Sequence, residues 1–162
     1  MELTTAEIKH VIAAQGWIEL GLFAEAFAEL DDIPPGRRGH PDVLEVRWNA
    51  CHGARQWDQA VAVARELASV ASGRFAPWWM ISFALHELKR TQEAYDNLAA
   101  VRGRFDAEWI VHYNLACYLV QLGRIDEARP CLARAFEINP EQRELARQDQ
   151  DLAPLWAENE AP

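Results

Sequence analysis

The sequence predicts an all-α chain, a solenoid of four tandem helical hairpins closed by capping helices. Three observations lead there. Ala26, Ala60, Ala94 and Ala128 follow one another at an unbroken spacing of 34 residues, a period that marks stacked helical units. Between these alanines the apolar residues recur at helical spacing. Gly21, the Pro34-Pro35-Gly36 run, Gly73, Gly103, Gly123 and Pro140 punctuate the chain where one helix must give way to the next.

Taken in order, Thr4 and Glu7 form a capping box, so the first helix starts there and runs to about Leu20. Gly21 permits the turn into a second helix over residues 22–31. His40-Pro41-Asp42 opens the next helix, because proline at the first helical position loses no hydrogen bond, and it continues to about Gly53. Its partner runs over 57–71. The third pair is expected over 77–88 and 91–101. Asp106 is expected to N-cap the fourth pair, 107–122 and 125–138, before Pro140 closes the array. A short helix over 141–148 follows, and Leu152, Leu155 and Trp156 should lie against the last hairpin, since a solenoid otherwise leaves its terminal apolar flank in water. The repeats thus occupy 4–36, 41–73, 75–105 and 107–140, with a cap over 141–157, in one domain spanning 1–162.

The stretch from Tyr113 to Pro140, YNLACYLVQLGRIDEARPCLARAFEINP, resembles the tetratricopeptide repeat. Ala116 and Ala128 stand at its small crossing positions, Gly123 at its turn, Leu132 and Ala135 at the packing positions of its second helix, and Pro140 at its end. The earlier copies carry Leu30 and Ile33, Ala64 and Leu67, then Leu98 and Val101 at those packing positions. At the first small position they carry Ala14, Trp48 and Ser82, and Trp48 departs from the pattern so far that the second hairpin is expected to be splayed or shifted. The resemblance implies a right-handed superhelix with a concave groove lined by the first helix of each pair. The ending Asp149-Gln150-Asp151-Leu152-Ala153-Pro154-Leu155-Trp156 is similar to caps that follow bacterial repeats of this kind.

Residues at i, i+4 and i+7 share a helix face. The stripe that lines the groove in tetratricopeptide proteins falls here on Val11, Gln15 and Ile18, then Glu45, Asn49 and His52, then Trp79, Phe83 and His86, then Tyr113, Cys117 and Val120. The candidate site is therefore Glu45, Asn49, His52, Trp79, Phe83, His86, Tyr113 and Cys117. Aromatic anchors with a few polar groups suit a peptide or helix of a partner protein. The plainer alternative is that these rings fill space between adjacent helices or lie beneath the C-terminal tail. Protonation of His52 and His86 should make binding change near pH 6. The carboxylate-gripping mode of some tetratricopeptide domains is not expected, because Val11, Gln15, Val46, Ala76 and Met80 supply no cation at the matching positions.

Composition narrows the classes further. A formal net charge of −9 opposes sequence-independent nucleic-acid binding and adhesion to anionic lipid. No apolar run reaches a membrane span, and the N-terminus has neither a basic n-region nor an apolar h-region, so a cytoplasmic location is expected. Cys51, Cys117 and Cys131, an odd number on helices, read as reduced core residues. His52 and His86 alone would leave a metal under-coordinated, and Asp149-Gln150-Asp151 reads as an N-cap instead of a metal motif. No cofactor, metal or catalytic constellation is expected. The leading expectation is a non-enzymatic protein-binding module. The alternatives are a structural protein dimerising through Ile8, Val11, Ile12, Trp17 and Ile18 of its first helix, and a secretion chaperone of tetratricopeptide type.

Overall fold

The computed structural model describes residues 2–157 and is all-helical across them. Its helices are α1 (Thr5–Glu19), α2 (Phe23–Asp32), α3 (Pro41–Gly53), α4 (Trp57–Val70), α5 (Ala76–Glu87), α6 (Thr91–Val101), α7 (Trp109–Gln121), α8 (Ile125–Ile138), α9 (Gln142–Gln148) and α10 (Ala153–Ala157). Short 3-10 turns occur at Pro35–Arg37, Arg102–Arg104 and Gln150–Leu152. The chain forms two compact units that meet in sequence at Leu88 and Lys89, in the turn of the third pair. In the first, α1 packs on α2 and α3, α3 on α4, and α4 along α5. In the second, α7 packs on α6 and α8, with α9 and the 150–152 turn laid against that pair.

The 34-residue period is visible in the backbone as well as in the side chains. Gly21, Arg55, Lys89 and Gly123 all adopt positive φ, at 74°, 56°, 62° and 74°. Each ends the first helix of a pair in the left-handed conformation, which turns the chain through the smallest number of residues. In three of these turns, the next amide reaches back to a carbonyl in the last turn of the helix: Leu22 to Trp17 at 2.9 Å, Gln56 to Cys51 at 2.8 Å and Arg124 to Leu119 at 2.8 Å. The orphan carbonyls at the helix end are satisfied in this way.

Beyond each turn the second helix presents its small residue to the core. Ala26, Ala60, Ala94 and Ala128 are all fully buried. So are Leu30, Ala64 and Leu98, with Leu132 nearly so, one helical turn further on. Equivalent positions therefore occupy equivalent surroundings. A methyl group at the crossing lets two helices approach closely, and a larger side chain there would force them apart.

Local signals explain the helix starts. The Thr4 hydroxyl accepts from the Glu7 amide at 3.3 Å while the Glu7 carboxylate accepts from the Thr4 amide at 2.7 Å, completing the expected capping box. Arg37 also binds the Glu7 carboxylate, at 3.2 Å, tying the loop after α2 to the start of α1. The Thr4 amide first, and then Arg37, hold the Glu7 carboxyl below its ordinary range. Asp106 differs from expectation. Helix α7 begins at Trp109, its N-cap Glu108 makes no side-chain cap, and Asp106 instead accepts from buried His112 through its backbone carbonyl at 2.9 Å and pairs with Arg134 through its carboxylate at 3.3 Å. A buried imidazole needs a partner more than an exposed helix start does, and Asp106 is where that partner comes from.

Trp48 is a second correction. It does not open its own hairpin, since α3 and α4 pack along one another. The indole is only 3% exposed and its bulk is taken up between α3 and α5, among the rings described next.

Candidate functional site

In the first unit a cleft of about 590 Å³ lies along α1, the start of α2 and the end of α3. Gln15, Ile18, Glu19, Phe23, Asn49, His52 and Gly53 line it. Gln15 and Asn49 are exposed amides one repeat apart, at the same position of α1 and α3. An amide side chain both donates and accepts, so the pair can meet the main-chain groups of a bound segment. Gly53 shapes the wall of this cleft: a Cβ there would lie 2.2 Å from the Phe23 ring. Glycine at this point is a matter of space, and its absence of a side chain is what lets Phe23 lean across from the preceding pair.

Beside the cleft stands an aromatic cluster. Exposed His52 stacks on Trp48 with ring centroids 5.2 Å apart and planes at 24°, and it meets the edge of Trp57 at 5.5 Å. Phe83 lies at the centre, 5.3 Å from His52, 5.4 Å from Trp79, 5.9 Å from Trp57 and 6.4 Å from Trp48. Trp79 is also 5.7 Å from Trp48. These offset and edge-on contacts are the favoured geometries for rings. Trp48 is the buried floor, while Trp79 and Phe83 are half-buried. Glu45 is ion-paired with Arg74 and half-buried, as is His86.

The second unit treats the same stripe differently. The Tyr113 hydroxyl donates to the Asp149 carboxylate at 2.7 Å, and the buried Cys117 thiol faces the same oxygen at 3.9 Å. Asp149 holds itself in place by accepting from the Asp151 amide at 2.9 Å, and Gln121 donates to the Asp151 carbonyl at 3.2 Å. Leu152 and Leu155 are buried, and the Trp156 indole donates to the Ala146 carbonyl at 3.1 Å. The segment 149–156 is thus a strap over α7, and Tyr113 and Cys117 are occupied by it. Burial first, and then the Asp149 carboxylate, push the Tyr113 hydroxyl and the Cys117 thiol upward; burial pushes Cys51 and Cys131 upward too. Thiols in that condition are poor nucleophiles.

The tetratricopeptide repeat pattern matches residues 109–142, the α7–α8 pair with its exit. That pair is a tetratricopeptide repeat. Solved structures of MamA share the fold of this chain. MamA from residue 41 to its end, from Desulfovibrio magneticus RS-1, is 16% identical with a TM-score of 0.80, covering 98% of this chain and 88% of that one. MamA of MSR-1 is 21% identical with a TM-score of 0.70, covering 82% and 76%. A further crystal structure of MamA protein is 12% identical with a TM-score of 0.78, covering 94% and 81%. No curated protein matches the sequence.

Of the eight expected site residues, Asn49 and His52 line the cleft, and Trp79 and Phe83 join His52 in the cluster. Glu45 and His86 belong to the same unit, and Tyr113 and Cys117 lie under the strap in the other. Glu19, Phe23 and Gly53 were not expected in the site. The signal for them was weak but present: 19 and 53 are consecutive repeat positions. Among the described residues no helix is long and apolar enough to cross a membrane.

Proposed function

We propose that the chain is a non-enzymatic interaction module that captures a peptide or helix of a partner protein along the cleft of its first unit. The supporting observation is the pairing of exposed polar groups with half-buried rings: Gln15, Asn49 and His52 along the cleft, Trp79 and Phe83 beside His52. Amides and an imidazole take the polar groups of the bound segment, and the half-buried rings take its apolar side chains. The net charge of −9 favours a basic or neutral segment. The strap keeps Tyr113 and Cys117 out of this surface, so the first unit carries the ligand on Gln15 and on the other six expected residues.

The test is selection of peptides from a displayed library against the full chain, followed by the Asn49→Ala/His52→Ala double variant. Both side chains are exposed, so helicity should be unchanged. Selected peptides should bind the variant at least about tenfold more weakly, the loss of about 1.4 kcal/mol expected when contact residues of this kind are truncated. Peptides that bind wild type and variant alike would overturn the assignment. A second reading, self-association, is favoured by Ile8 and Ile12 on one face of α1 and by Leu20 and Leu22 at its exit, which are 43%, 60%, 70% and 42% exposed.

A further inference from the structure

We propose that the first hairpin carries a binding site for a divalent transition metal ion of the zinc class, formed by His10 of α1 with Glu29 and Asp32 of α2. The site shares no residue with the cleft and does not depend on the function assigned to it. Glu29 and Asp32 are three apart on one helix and so stand on one face, opposite His10 on the neighbouring helix. One donor atom from each of the three side chains lies within 4.8 Å of the other two. Around a tetrahedral zinc ion with bonds of roughly 2.0–2.1 Å, ligand atoms sit roughly 3.4 Å apart. Small changes of side-chain rotamer therefore bring these three to an ion without moving either helix.

The charge arrangement around the three groups favours a cation. Helix α2 ends in Asp31 and Asp32, and its last turn holds no basic residue. Carboxylates at the negative end of a helix repel it. Asp31 is relieved by Arg47 at 2.6 Å. Asp32 is exposed and lies beside a second carboxylate, Glu29, which meets the imidazole of His10 at 2.8 Å. A dipositive ion neutralises both carboxylates at once.

The ligand types fit as well. Imidazole with two carboxylates is a recognised set for zinc and for neighbouring ions of the same series, with water in the remaining position. The His10 Nδ1 to Glu29 contact is at present bridged by a proton. The ion takes the place of that proton on Nδ1, and the bound imidazole is the neutral tautomer that carries its proton on Nε2. His10 and Glu29 keep 35% and 29% of their side-chain surface exposed, so an ion can reach them from solvent.

The experiment is calorimetric titration of the untagged full chain with zinc sulfate, with thermal unfolding recorded alongside. Wild type should bind one zinc ion saturably and unfold at a higher temperature when zinc is present. His10→Ala and Asp32→Asn should each weaken binding at least tenfold and remove the thermal shift, while His52→Ala and His86→Ala should leave both unchanged. Circular dichroism checks that the variants fold, and Asp32→Asn, at an exposed position, serves if His10→Ala does not. Absence of saturable binding at sub-millimolar zinc, or binding that survives loss of His10 or Asp32, would overturn the proposal.

Discussion

Arg55 sits at a φ of 56°, in the conformation that Gly21 and Gly123 adopt without strain in the first and last turns. A residue with a Cβ carries an energetic penalty there of about 1–2 kcal/mol, of which glycine would return part to the unfolded chain as entropy. Arg55→Gly should therefore raise the unfolding free energy by about 0.5–1 kcal/mol, read as a shift in denaturant midpoint at constant slope. The glycines announced their turns in the sequence, whereas Arg55 and Lys89 were legible only by phase, as the residues 34 places along from Gly21 and from one another. The cysteines were read from type and spacing, and their burial follows from lying on the helix faces that meet in the core. His10, Glu29 and Asp32 gave no such signal, because residues 19 and 22 apart become neighbours only when α1 folds back on α2.

At the scale of single elements, the strap over 149–156 is the part least like a repeat. It has no copy elsewhere in the chain, so periodicity identified the stripe on α7 but could not show what lies over Tyr113 and Cys117. The buried Leu152 and Leu155 carry its hydrophobic attachment. Leu152→Ala removes a fully buried side chain and should destabilise the second unit by about 2–4 kcal/mol in chemical denaturation. The same substitution should make Cys117 react with a thiol reagent well before global unfolding; protection that persists would mean that α7 and α8 bury it without the strap. The helix limits themselves were legible to within a residue or two, because proline, glycine and the Thr4–Glu7 pair act locally. Asp106 was misplaced because its competing partners, His112 and Arg134, come from six and 28 residues away.

For the molecule as a whole, the fold class was legible because it follows from one number, the repeat length, together with a few small residues that recur at it. Of the candidate site, helical spacing made legible the stripe that carries Asn49, His52, Trp79 and Phe83, which the cleft and the ring cluster bring together within the first unit. Self-association is decided at this scale too. If α1 pairs with a second copy, light scattering should give a dimer at micromolar concentration, and Ile8→Glu/Ile12→Glu should return it to a monomer with unchanged helicity. A wild type that is already monomeric under those conditions would end that reading.

The left-handed residues at 21, 55 and 123 set the angular phase of the hairpins that lie within one unit. Adding or deleting a block of 34 brings the next such residue back to the same bearing, and each alanine still meets its counterpart. One residue gained or lost within a turn instead rotates the following helix by about 100° and points its crossing alanine into solvent. Chains of this design can lengthen or shorten by whole blocks, but not by ones and twos at the turns.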